Sequence, residues 1–127
     1  MRILADSNVF IDFWKNPSRE MIDTFTKEDV VICGVIKSEL LHGARSLTDL
    51  ARIEQALDEF EELSFSESDW KMLGRQLYEL RTSGITVPFQ DAIIAYLAVK
   101  NEIPLWTNDK HFAIIQRIMK ALRLIQV

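Results

Sequence analysis

Cys33 is the only cysteine in the chain. One thiol closes no intramolecular disulfide, and with only His42 and His111 beside it there is no Cys/His cluster of the zinc type. Cys33 lies in an apolar run and is expected in the core. Three prolines and four glycines leave no linker-like tract, so the 127 residues read as one domain, 1–127. No run approaches ~18 apolar residues, so no membrane-spanning helix is expected. The N-terminus lacks the basic start, apolar run and cleavage site of a secretory signal, which makes the cytoplasm the expected location. Positive charge is also in short supply. Fifteen Lys and Arg against 19 Asp and Glu leave a formal charge of −4, which argues against a general nucleic-acid coat protein. A nuclease is not excluded, because cations held by converging acids do not enter such a count.

What is present is an ordinary globular composition, 48% hydrophobic and 27% charged, without repeats or low-complexity tracts. A chain of this length should bury roughly two-thirds of its unfolded surface. Apolar periodicity predicts strands over 3–5, 30–33 and 103–107, a short one over 63–65, and a last one over 124–127. Helices are predicted over 8–15, 18–27, 35–45, 48–60, 90–101 and 111–122. The longest follows the capping box Ser66-Glu67-Ser68-Asp69, carries Trp70, Leu73, Leu77 and Leu80, and closes at Gly84. Alternating strands and helices imply a mostly parallel sheet with helices on both faces.

Among 19 acids, position must discriminate. Asp6 and Asp109 each directly follow a predicted strand, and parallel strands bring such ends to one sheet edge, where open α/β folds bind ligands. Glu39 borders the buried face of its helix, beside Ile36 and Gly43. Asp91 heads a helix that is apolar nearly all round, through Ile93, Ile94, Leu97 and Val99. Each acid has a bland alternative: Asp6 and Asp109 as helix caps, Asp91 as partner of a helix dipole, Glu39 as a solvated flank. Converging carboxylates resist burial unless protons or cations neutralise them. Hard divalent ions such as Mg²⁺ or Mn²⁺ suit oxygen donors, and a site of that kind suits phosphodiester hydrolysis.

Four segments carry a resemblance: Asp6-Ser7-Asn8-Val9-Phe10-Ile11-Asp12, Glu39-Leu40-Leu41-His42-Gly43, Asp91-Ala92-Ile93-Ile94-Ala95 and Thr107-Asn108-Asp109. In order and spacing the set closely resembles the motifs of PIN-domain ribonucleases, in the small form typical of VapC-type toxins. The resemblance implies a three-layer α/β/α sandwich. It also implies an Mg²⁺- or Mn²⁺-dependent endoribonuclease of a type II toxin–antitoxin module, leaving a 5′-phosphate and a 3′-hydroxyl. By similarity Asp6, Glu39, Asp91 and Asp109 are the catalytic, metal-binding acids, supported by Asn8, Ser7 and Thr107. RNA is the implied substrate and a cognate antitoxin the implied partner, with a homodimer expected. Ser7 stands where many relatives have Thr, and the tail over 114–122 is more helical than the family pattern suggests.

Phosphates must be met by cations: Arg45, six residues after Glu39 near a helix end, and Lys110, adjoining Asp109, are candidates, with Lys15 and Lys37 as weaker ones. His111 reads as a cap or surface residue. Phe13, Trp14 and Trp70 fit either a core or an exposed apolar patch. Other classes stay open: a non-catalytic binding module on the same fold, a haloacid-dehalogenase-like phosphatase, and a phospho-accepting receiver. The phosphatase wants an acid where Asn8 stands. The receiver wants one on a mid-chain strand.

Overall fold

The structure, a computed structural model, describes residues 1–126. Five strands form one sheet: β1 (Arg2–Ala5), β2 (Asp29–Cys33), β3 (Glu61–Leu63), β4 (Leu105–Trp106) and β5 (Leu124–Ile125). Their order is β3-β2-β1-β4-β5 and every pairing is parallel. Seven helices connect or flank them: α1 (Ser7–Lys15), α2 (Arg19–Lys27), α3 (Gly34–His42), α4 (Leu47–Leu57), α5 (Glu67–Thr82), α6 (Phe89–Lys100) and α7 (His111–Gln116). The result is the expected three-layer α/β/α sandwich.

The central strands are nearly continuous apolar runs because helices cover both faces. Ile3, Leu4, Ala5, Val31, Ile32, Cys33, Leu105 and Trp106 are all buried. Behind β1, Phe10, Phe25, Phe60 and Trp106 form an aromatic cluster, with Phe10 edge-on to Phe60 at 5.2 Å and Phe25 5.1 Å from Trp106. Phe13 leans on Phe25 and is half-buried, whereas Trp14 and Trp70 stay exposed. Local chemistry sets the helix starts. Ser18 and Ser46 each accept a backbone N–H of the first turn, and Asp69 reaches back to the Ser66 N–H. Gly84, at φ +85°, makes the left-handed turn that closes α5.

The helices expected over 35–45 and 48–60 each stop three residues early, at His42 and Leu57. The strand expected over 103–107 pairs only over Leu105–Trp106, and two elements differ more. The third strand lies at Glu61–Leu63, not over 63–65, because its pairing with β2 ends where Leu63 meets Cys33. Phe65 instead packs on Trp70 and Tyr96. The last helix stops at Gln116 instead of reaching 122. Its side chain donates to the Leu122 carbonyl at 2.8 Å, and the chain turns so that Arg123 can accept from the Leu105 N–H. Met119 and Leu122 are buried in that turn, which accounts for the helical look of the tail. Strand β5 follows, while Val127 of the expected strand lies outside the described residues.

One acid is buried far from the strand ends. Asp69, 2% exposed, accepts from the Ser66 N–H at 2.6 Å, the Ser66 hydroxyl, the Lys100 ammonium at 2.7 Å and the Tyr96 hydroxyl. These donors, led by Lys100, hold its carboxyl well below the usual range. Burial and the Asp69 carboxylate push the Tyr96 phenol up to about 12.

Candidate functional site

The parallel register brings the carboxyl ends of β1 and β4 side by side. Leu4 faces Leu105 and Ala5 faces Trp106, and the Asp6 N–H donates to the Trp106 carbonyl at 2.9 Å. The next residue of each strand therefore emerges at one place: Asp6 after β1, Thr107 after β4. Both are buried polar residues, 5% and 3% exposed. The Thr107 hydroxyl donates to Asp6 Oδ2 at 2.8 Å and accepts the Asp109 N–H at 3.0 Å. A single hydroxyl thus ties the first and last acids together.

Asp6 also caps α1, accepting the Ser7 N–H at 2.8 Å, so the helix-cap reading holds while the same carboxylate faces Thr107. Ser7 contributes its backbone N–H to this bond. Asn8 donates to Asp6 Oδ2 at 3.2 Å and accepts the Asn108 N–H at 3.2 Å. The Asn108 side chain in turn donates to Asp12 at 2.7 Å, closing a second tie between α1 and the loop after β4. Asp12 and Asn108 were legible as motif members, but nothing local marked their contact across 96 residues.

The remaining acids arrive on helices. Strand β2 runs straight into α3, whose exposed Glu39 feels the charges of Asp6 and Asp91. Asp91 lies in the first turn of α6, above buried Ala95 and Ala98, and feels Asp109 and Asp6. Partial loss of solvent around the carboxyl groups, then the neighbouring carboxylates, pushes the Glu39 and Asp91 carboxyls up. For Asp6 burial also dominates and raises its carboxyl despite the bonds from Thr107, Ser7 and Asn8. Nearby Cys33 is raised to about 11, chiefly by burial, and is inert core. The four acids thus form one mutually repelling set at the strand ends.

Such a set suits a divalent cation. One carboxylate oxygen each from Asp91 and Asp109 and a ring nitrogen of His111 lie within 4.8 Å of one another. The hard oxygen donors match Mg²⁺ or Mn²⁺. His111 is the expected surface residue at the entry to α7: its ring is solvent-facing and stands 3.4 Å from Asp109 Oδ1. The Asp-x-His spacing was the available signal.

Of the cations, Arg45 and Lys15 line an open groove of about 510 Å³ that begins at Glu39 and runs past Trp14 and Ile53. Lys110 is exposed beside Asp109. Lys37 is instead drawn to Glu62 at 3.2 Å. Among the described residues no helix is long and apolar enough to cross a membrane.

An all-parallel α/β/α sandwich with acids gathered at its strand ends defines the class, and the family follows. The model of the PIN domain matches residues 3–118, and the chain belongs to that family. This assignment replaces the phosphatase and receiver alternatives. Among solved structures, the fold is similar to VapBC2 from Rickettsia felis bound to a promoter DNA fragment. That match has a TM-score of 0.82 and 20% identity, covering 100% of this chain and 99% of the other. DNA-bound VapBC from Salmonella typhimurium matches with TM-score 0.82 and 25% identity, over 99% and 98%. VapBC-5 from Mycobacterium tuberculosis, of the VapBC family of toxin–antitoxin systems, matches with TM-score 0.71 and 24% identity, over 99% and 98%. No curated protein sequence matches the chain.

Proposed function

We propose that this protein is a single PIN domain acting as a metal-dependent endoribonuclease, the toxin of a type II toxin–antitoxin module. The observation that carries the proposal is the convergence of Asp6, Glu39, Asp91 and Asp109, on four separate elements, into one crevice, where burial and acidic neighbours raise the Asp6, Glu39 and Asp91 carboxyls. These acids are the ones that would hold Mg²⁺ or Mn²⁺. When bound, such an ion would supply Lewis-acid chemistry, a more acidic water and compensation of charge at the scissile phosphate. Thr107 and Asn8 keep the Asp6 carboxylate turned into the crevice, as supporting hydrogen bonds do at metal sites. Arg45 and Lys15, in the groove beside Glu39, and Lys110, beside Asp109, meet the RNA backbone as it crosses the acids. Hydrolysis leaves a 5′-phosphate and a 3′-hydroxyl.

The same crevice suits control by a cognate antitoxin that presents an arginine to the clustered carboxylates, whose planar fork matches them. Chains of VapBC complexes share the fold, which supports an antitoxin partner here. Exposed Trp14 and Trp70 offer apolar area for a homodimer. Work in the cytoplasm fits RNA as substrate. The test is cleavage of defined RNAs by purified protein in Mg²⁺ and Mn²⁺, with chelator and with Asp109→Ala. Metal-stimulated cleavage yielding 5′-phosphate ends and lost in the variant is expected. RNA left intact in either metal points to the non-catalytic binding module; cleavage undiminished in Asp109→Ala overturns the site.

A further inference from the structure

The ligand cluster contains a group that the acid set alone does not require. Asp109 Oδ1 accepts the His111 N–H at 2.9 Å, curling the chain at the entry to α7. That curl brings the imidazole Nδ1 to 3.4 Å from the same oxygen and turns the ring toward the space Asp91 also faces. The three ligand atoms, one each from Asp91, Asp109 and His111, all lie within 4.8 Å of one another. Ligands about 2.1 Å from an ion stand roughly 4.2 Å apart when opposite each other, so small side-chain rotations suffice to close the set on one ion. The ring is two-thirds exposed, at 67%, and is not locked into the core, so it can make that rotation.

We propose that His111 ligates the divalent cation held by Asp91 and Asp109 and biases this centre toward Mn²⁺ over Mg²⁺. The proposal rests on the metal-dependent reading above and adds to it a nitrogen donor. Imidazole is a softer ligand than carboxylate or water. Mg²⁺ gains little from it, whereas affinity for nitrogen rises along the first-row transition ions from Mn²⁺ onward. A centre built only of carboxylates lacks this bias. One with His111 in place has it without any change in the acids.

The test uses the full chain and metal alone, with no RNA. Mn²⁺ bound to the protein is examined by pulsed electron paramagnetic resonance for ¹⁴N coupling, and Mn²⁺ and Mg²⁺ affinities are titrated for the native protein, His111→Ala and Asp109→Asn. A directly ligated imidazole gives ¹⁴N coupling in the native protein that vanishes in His111→Ala. In that variant Mn²⁺ affinity falls roughly ten- to a hundred-fold, the scale on which supporting groups act at metal sites, while Mg²⁺ affinity is nearly unchanged. Native protein that binds Mn²⁺ without ¹⁴N coupling, or equal weakening of both metals in His111→Ala, overturns the role of His111. If Asp109→Asn still abolishes binding, the acidic centre stands. Mn²⁺ that binds the native protein no better than Asp109→Asn overturns the acidic centre, and the His111 proposal with it.

Discussion

Asp6 and Asp69 are the two buried acids of the described residues, and they meet burial in opposite ways. Asp69 is surrounded by donors: a backbone N–H, two hydroxyls and the Lys100 ammonium. Its charge is satisfied where it stands, and its carboxyl is held low. Asp6 has three neutral donors but no cation, and the acids Asp109 and Glu39 act on the same crevice. Its carboxyl is raised. A buried charge with its own counter-ion pins elements together, here α5 to α6. A buried charge left beside like charges is costly to the fold and becomes favourable only when a cation arrives from outside. Perturbation in that second sense is the kind that clusters at functional sites.

Breaking each side of this contrast gives different readouts. The largest effect is on activity. Asp6→Asn or Asp109→Asn should lower metal-dependent RNA cleavage roughly a hundred-fold or more, with an unchanged circular dichroism spectrum; a loss of less than tenfold removes that residue from the machinery. Thr107→Val deletes the hydroxyl that ties Asp6 to Asp109 and should cost roughly tenfold in cleavage. Thr107→Ser, which keeps the hydroxyl, should restore most of it, and equal loss in both variants would show that the methyl group matters instead.

On the Asp69 side the effect is on stability. Asp69→Ala removes the acceptor that ties the Tyr96 hydroxyl, the Ser66 cap and Lys100 together and should lower the melting temperature by several degrees, while cleavage per folded molecule at low temperature stays native. On the Asp6 side the sign reverses. Asp91→Asn removes one of the repelling charges and should raise the melting temperature of the metal-free protein by a few degrees, an advantage that saturating Mn²⁺ cancels; a lower metal-free melting temperature contradicts the account of charge strain.

The pH dependence separates the two sites most finely. Asp6, Glu39 and Asp91 bind protons more tightly folded than at their ordinary values of 3.8, 4.5 and 3.8. Folding therefore takes up protons, and metal-free stability rises as pH falls from neutral through their raised range. Asp69 works the other way. Its contribution is complete above its ordinary value of 3.8 and is lost as pH falls through its depressed folded value. Thermal unfolding in chelator should show a melting temperature that first climbs and then drops on acidification. A steady fall from neutral pH onward would mean that the crevice carries no charge strain.

The linear chain already determined a good deal: the order of strands and helices, the parallel sheet, the strand-end positions of Asp6 and Asp109, the first-turn position of Asp91, and the spacing of all four acids. Those features are local, because a strand end, a capping residue or a 3.6-residue period is written within a dozen neighbouring residues. The tertiary structure alone decided the rest. Sequence read Asp69 as a capping box and could not see Tyr96 or Lys100, which stand 27 and 31 residues away. It read His111 rightly as a surface residue but could not see that a ring nitrogen lies within 4.8 Å of carboxylate oxygens of both Asp91 and Asp109, since Asp91 arrives on a separate helix. It ran the last helix to 122, since a buried turn and a helix share the same apolar spacing. Thr107 joins Asp6 across 101 residues only because β1 and β4 are paired in one register, and register depends on the whole sheet.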